Sequence, residues 1–330
     1  MTVRLVAGTP TGVGSLPYTD PAVAAEVALE MHPELPAAPQ LPQRSIAESM
    51  IAQVAAGMPG VTIDGAGLHA DRRIAPVPEG APLDADAWAG TLAFLDAAAT
   101  RVRPVKLQLA GPVTLGLALI AAGARPSKAF AVAGATVADR VRALRAAADE
   151  RCPGAPPVIV LDEPGMVSYL HTDFPLAPDD TIDLLSGALA AVGRGGLAGV
   201  HCCGPTDWRL ILHAGPDLVS LPVDSADADD AAGFSSFLDR GGWIAWGVVP
   251  TDRPIGDRFD PHWRRLSALW GEMTRNGCDP ARLRTQSLLT PACGLAHHGE
   301  EQVPRVFGLV RMIAERVQDQ AVALRMSVGA

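Results

Sequence analysis

The sequence predicts an α/β protein, a single (β/α)8 barrel spanning residues 1–330. Three observations carry that expectation. Short apolar segments ending in Gly, Pro or polar clusters alternate with Ala-rich stretches of helical period, the pattern of a parallel sheet with crossover helices. Eight such strand candidates can be counted along the chain. No linker rich in Pro, Gly and Ser divides it into self-contained halves, and barrels of this class run past about 250 residues as one unit.

The first strand is expected at residues 12–16, followed by a helix at 21–31 that Asp20 caps and Pro21 starts with a preset φ. Residues 32–42 are Pro-rich and too long for a minimal connection, so they read as an inserted loop. Further strands are expected at 61–64, 105–109, 158–161, 199–202, 218–221, 243–247 and 284–289. Helices fit 87–99, 127–151, 180–193, 261–277 and 301–324. Strands one and eight then close the ring side by side, bringing the two ends of the chain together.

With 48% hydrophobic and 19% charged residues, the composition is that of a globular enzyme with a large core. A formal net charge of -9 argues against a nucleic-acid or anionic-membrane surface, which needs clustered Lys and Arg. The first residues lack the apolar run of a signal peptide, and no stretch of about 18 apolar residues occurs. A cytoplasmic location is therefore expected. Five scattered cysteines do not form a disulfide framework; in a reducing compartment they are core residues, metal ligands or nucleophiles.

The chemistry concentrates in a few segments. GVHCCGPTDW sets His201 and Cys203 two residues apart at the end of an apolar strand, so alternation sends both to one side and Cys202 to the other. In a barrel the C-terminal strand ends carry the site, and Cys293 in SLLTPACGL follows the last expected strand. Two thiolates and an imidazole suit zinc and leave its fourth position open to water or substrate. The other reading is two apolar cysteines and a hydrogen-bonded core histidine. LDEP places Asp162 and Glu163 at the same rim, as catalytic carboxylates or as a turn cap. GVGSLP is either a tight turn or, through its amides and Ser15, a cradle for a substrate carboxylate; it lacks the spacing of a phosphate loop.

Taken in order, GSLP at 14–17, KLQLAGPVTL at 106–115, LDEP at 161–164, HCC at 201–203 and PACGL at 291–295 resemble the catalytic C-terminal barrel of cobalamin-independent methionine synthase. The wider group is that of the methionine synthase and uroporphyrinogen decarboxylase barrels. The resemblance implies that His201, Cys203 and Cys293 bind catalytic zinc. It further implies that Gly14, Ser15 and the neighbouring backbone hold the homocysteine carboxylate and that Asp162 receives its amino group, with Glu48 in the region of a second amino-group carboxylate. The implied activity is methylation of a zinc-activated homocysteine thiol to methionine.

The chain also departs from that pattern. The family's zinc-binding glutamate falls on Pro222, which cannot ligate; either Asp224, two residues on, replaces it or three protein ligands serve. The family's proton-transfer histidine falls in GVVPTDRP at 247–254, which has none; Asp252 is the candidate substitute, with a turn role as the alternative. His297 and His298 are either supporting groups behind the metal ligands or exposed loop residues. A chain that starts at the second barrel of the full-length synthases is expected to take its methyl from a methylcorrinoid, free or protein-bound, rather than from methyltetrahydrofolate. Rival expectations are another zinc-dependent thiol alkyltransferase, using coenzyme M or a related thiol, and a zinc-free decarboxylase of the uroporphyrinogen type.

Overall fold

The computed structural model describes residues 3–253 and 255–328, so Pro254 of the 247–254 segment lies outside the described residues. The elements run β1 (Thr9–Pro10), α1 (Pro21–Met31), α2 (Met50–Ala55), β2 (Val61–Asp64), β3 (Gly67–Ala70), α3 (Ala89–Ala97), β4 (Val105–Ala110), α4 (Pro112–Ala121), α5 (Pro126–Arg151) and β5 (Pro157–Asp162). The second half comprises α6 (Pro178–Ala190), β6 (Leu197–His201), α7 (Trp208–His213), β7 (Leu218–Pro222), α8 (Ala231–Asp239), β8 (Trp243–Val249), α9 (Asp260–Arg275), α10 (Pro280–Thr285), β9 (Ser287–Pro291) and α11 (Gln302–Val328). Asp20 caps α1 as expected, accepting from the amides of Ala22 and Val23.

Seven strands form one curled parallel sheet in the order β1-β9-β8-β7-β6-β5-β4. Among the described residues no regular eighth strand completes the ring. The gap between β1 and β4 is spanned by an extended segment held through two single parallel bridges, Ser15 to Gln40 and Ala37 to Lys106. Residues 32–42, expected as an inserted loop, therefore carry the closure of the ring. Their prolines explain why no regular strand grows there: a segment with Pro33, Pro36 and Pro39 lacks the donors for a continuous ladder.

Val61–Asp64, expected as a barrel strand, instead pairs antiparallel with β3 in a separate hairpin, Val61 facing Ala70 and Asp64 facing Gly67. The Asp64-Gly65 dipeptide is a hairpin signal, and the Asp64 carboxylate accepts from the Ala66 amide at 2.8 Å. At the other end, Arg284 and Thr285 finish α10, so the last strand starts at Ser287 rather than at residue 284.

Period-two alternation divides the sheet into two faces. Outward residues such as Leu107, Leu161, Val200 and Leu289 pack with the helices in one large core. Inward, Leu35, Val158, Val160, Leu218, Ala245 and Leu288 form a small apolar plug. Beyond the plug the inner face turns polar. Among the described residues no helix is long and apolar enough to cross a membrane.

Candidate active site at the strand ends

The polar inner layer is set by inward residues near the ends of successive strands. Asp162 ends β5 and lies beside His201 at the end of β6, which in turn lies beside Ser220 of β7. Thr290 is the last inward residue of β9, one alternation beyond the plug residue Leu288. All four are buried.

His201 Nδ1 hydrogen-bonds Ser220 Oγ at 3.0 Å, which orients the ring and leaves Nε2 buried without a partner. Asp162 Oδ1 and Thr290 Oγ1 are likewise buried with no hydrogen-bond partner. Buried polar atoms are normally paired, so three such atoms on the same inner face mark a place built to receive something.

Cys203 and Cys293 meet from opposite ends of the sequence. Their thiols are hydrogen-bonded to each other, and Cys293 also reaches His201. The shared hydrogen bond lowers the Cys203 thiol below its ordinary value, while the same bond, followed by desolvation, pushes Cys293 up to about 12. That desolvation comes from the walls around the sulfur; as a whole Cys293 is exposed and Cys203 half-buried, which places the pair at the mouth. Cys202 is fully buried in the outer core, as alternation requires. Among the described residues no set of three or more His, Cys, Asp and Glu is gathered tightly enough to hold a metal as it stands. The contacts run pairwise, with Cys293 between Cys203 and His201.

The glycine-rich turn after β1 also arrives here. Gly14 has φ +151°, and a Cβ on it would lie 2.4 Å from the Gln108 amide nitrogen, so only glycine lets the turn sit over that side chain. Ser15 Oγ would lie 2.7 Å from a Cβ on Gly294, and the Leu295 amide donates to the Ser15 carbonyl at 2.7 Å. GSLP and PACGL, far apart in sequence, are therefore one surface.

Other expected residues are placed elsewhere. The Asp224 carboxylate is exposed and paired with Arg265 at 3.1 Å, so it does not stand in for the ligand lost at Pro222. Residues 223–225 turn into a short 3-10 helix instead of extending β7. Asp252 is exposed and bonded to Arg253 at 2.8 Å, a turn arrangement rather than a catalytic one. Glu48 is buried, but its oxygens are taken by Arg44 Nε at 2.5 Å and by the amides of Leu41 and Gly90. That makes it an anchor for the chain between α1 and α3, with no lone carboxylate oxygen offered to a substrate. Glu163 turns away from Asp162 onto the N-terminus of α4, accepting from the amides of Val113 and Thr114 and from the Thr114 hydroxyl. His298 Nε2 bonds the Thr251 carbonyl at 2.8 Å and ties the Cys293 loop to the 247–253 segment, while His297 is exposed.

Two inward polar groups of the sheet were not anticipated. Lys106, on β4, is buried and donates from Nζ to the Val13 carbonyl at 2.6 Å and to Gln108 Oε1 at 3.4 Å. Burial lowers its ammonium from the ordinary lysine value and raises the Asp162 carboxyl from the ordinary aspartate value, and each group partly restores the other's charge. The signal was in VKLQLA, where polar residues at alternate positions interrupt an apolar strand. Thr290 gave less sign of itself, being one hydroxyl in SLLTPACGL.

No protein-family model and no curated protein matches the chain. Solved structures do match in fold. A methyltransferase from Methanosarcina mazei is 17% identical, with 94% of each chain covered and a TM-score of 0.56. A candidate vitamin-B12 independent methionine synthase from Listeria monocytogenes is 16% identical, covering 92% of this chain and 86% of that one, with a TM-score of 0.60. At such identities the likeness is one of fold alone, that of a curled parallel sheet with helices.

Proposed function

We propose that the protein is a zinc-dependent thiol methyltransferase that converts homocysteine to methionine. The observation that carries this reading is the apposition of Cys203 and Cys293, with the unpartnered His201 Nε2 within reach of Cys293. This donor set fits zinc: one imidazole and two thiolates balance its charge and leave a fourth position for substrate. When bound, zinc supplies a Lewis acid that keeps an incoming sulfur as thiolate near neutrality.

The chain's own groups account for the remaining requirements. Ser220 fixes the imidazole so that Nε2 faces the chamber. Asp162 presents an unpartnered oxygen to a substrate ammonium, and the Gly14-Ser15 turn lies against the Cys293 loop where the amino-acid end of a bound thiol would sit. A thiol whose only charge is a sulfonate offers nothing to Asp162, which favours homocysteine over such a thiol. Transfer forms the S–CH3 bond, breaks the donor's bond to that methyl and releases the thiol proton at the open mouth.

Zinc X-ray absorption with and without homocysteine tests the reading: one added sulfur neighbour is expected. Asp162→Asn is expected to weaken homocysteine by about 30-fold or more while changing 4-mercaptobutyrate, which lacks the amino group, by less than about 3-fold. Equal weakening of both would remove Asp162 from the amino-group site. A protein that binds no zinc at all favours the decarboxylase alternative.

The reading extends to a methylcorrinoid as methyl donor. The amine of methyltetrahydrofolate must be protonated to leave, whereas a cobalt-bound methyl needs no such acid. Asp252 is exposed and paired with Arg253, and His298 Nε2 is spent on a backbone carbonyl, so neither offers a proton to a leaving amine. Absence of a general acid costs about 100-fold or more. Methionine formation from methylcobalamin is therefore expected to exceed that from methyltetrahydrofolate by about that factor; comparable rates from folate alone refute the assignment.

A further inference from the structure

The gap between β1 and β4 opens at the N-terminal strand ends, the end of the sheet opposite Asp162 and His201. Before the Ala37 to Lys106 bridge, the chain leading into β1, residues 34–35 and the chain leading into β4 enclose a cavity of about 410 Å³. That volume suits a small molecule. Its floor is apolar: Leu35 belongs to the inner plug, Leu5 packs against it, and Pro104 continues the surface outward. Both walls are held from behind. On one, Arg101 Nε donates to the Arg103 and Pro104 carbonyls at 3.1 and 3.3 Å, and its Nη2 donates to the Pro33 and Glu34 carbonyls at 2.6 and 3.1 Å. One guanidinium thus clips residues 33–34 onto 103–104 and puts Glu34 and Arg103 on the same wall. On the other, Gln318 of α11 donates to the Gly8 carbonyl at 3.1 Å and fixes the segment that carries Arg4. Among the described residues, no hydrogen bond or ion pair engages the side chains of Arg4, Glu34 or Arg103, although all three line the cavity. Two guanidiniums and a carboxylate over an apolar floor, on walls already held in place, have the make-up of a preformed ligand site.

We propose that this cavity is a second binding site, for an α-amino acid with an apolar side chain: Arg4 and Arg103 take the carboxylate, Glu34 the ammonium, and the Leu5, Leu35 and Pro104 floor the side chain. The assignment does not rest on the thiol methyltransferase reading, because the plug stands between this cavity and the chamber at the strand ends. The lining discriminates among ligand classes. An inorganic anion would answer the arginines but set a second negative charge near Glu34 and leave the apolar floor uncovered. An apolar amine would answer Glu34 and face two cations. A neutral apolar molecule would engage none of the three charges. An amino acid answers all of them, and guanidinium groups match the planar carboxylate with paired N–H donors. Its place in the fold gives the ligand a structural effect as well. Spanning Arg4 and Arg103, it ties the β1 side of the gap to the β4 side, where the backbone supplies only single bridges.

L-norleucine is the probe, because it has no sulfur to offer a metal at the thiol site. Calorimetry on the full chain is expected to give one norleucine per chain. Hexanoate, which lacks the amino group, should bind about 10-fold more weakly, and pentylamine, which lacks the carboxylate, more weakly still. Arg4→Gln and Arg103→Gln should each weaken norleucine by about 5-fold or more, and Glu34→Gln should weaken norleucine while leaving hexanoate within about 2-fold. All three residues are exposed, so these variants are expected to fold. Asp162→Asn should leave norleucine unchanged; loss of binding there would move the amino acid to the strand-end chamber and overturn the proposal. A wild type that takes up no norleucine, or arginine variants that bind it as the wild type does, overturns it equally. Hexanoate held as tightly as norleucine overturns the amino-acid assignment. None of these outcomes involves zinc, so this proposal and the methyltransferase reading fail separately.

Discussion

Cys203→Ser and Cys293→Ser are each expected to lower zinc content from about one per chain to less than about 0.2 after dialysis, while Cys202→Ser keeps it. A structural zinc site binds with roughly 10–16 kcal/mol, so one ligand in four accounts for about 3 kcal/mol, a loss of 100-fold or more in affinity. The contrast with Cys202 is what gives the test its force. Cys202 adjoins Cys203 in sequence but is buried among the outer core residues, its Sγ reaching only the Gly204 carbonyl at 3.5 Å. Metal analysis by mass spectrometry decides it. Equal loss in all three variants, or retention in all three, would sink the ligand assignment.

Glu163→Ala is expected to cost about 3 kcal/mol or more, although Glu163 touches neither the thiols nor the substrate chamber. Its two oxygens satisfy the Val113 and Thr114 amides and the Thr114 hydroxyl at the start of α4, and truncation leaves those donors buried and unpaired. Burial pushes the Glu163 carboxyl up to about 7, above its ordinary 4.5, against the pull of those hydrogen bonds. Because the folded value is the raised one, the stability tied to its protonation is complete below about pH 4.5 and is lost as pH rises through about 7. The gap between wild type and variant should therefore narrow across that window. Urea unfolding at several pH values measures both; a difference under about 1 kcal/mol at pH 5 would show that the carboxylate does not hold the helix.

Much of this architecture was legible because period two is a strong signal. Strands β4 to β8 fall within a few residues of their expected places, and the side taken by His201 and the opposite side taken by Cys202 follow from alternation alone. What failed did so for identifiable reasons. VTID has the composition of a barrel strand, but the Asp64-Gly65 turn folds it onto β3 before it can join the sheet. Residues 36–40 carry prolines and look like a loop, yet they span the ring because closure there needs only single bridges. Glu48 was a site candidate through the family resemblance and Glu163 through its place in LDEP. Arg44, four residues before Glu48, was a local sign of its pairing, but Gly90 and, for Glu163, Thr114 lie 42 and 49 residues away and leave no local trace. Lys106 was visible as a charge in an apolar strand, but its counter-charge Asp162 is brought to it only by the fold.

The meeting of β1 with β9 has a temporal side. Thr9 pairs in register with Leu288, so this seam joins segments at nearly opposite ends of the sequence and is among the costliest loops to close. During synthesis His201 and Cys203 leave the ribosome as a two-donor pair, and Cys293 follows several seconds later at about 5–20 residues per second. Until β9 docks, the thiol partner of Cys203 and the wall against Ser15 are both absent. On the proposed zinc reading, metal capture and substrate recognition wait on the same final event of folding, so a half-made chain holds no competent site.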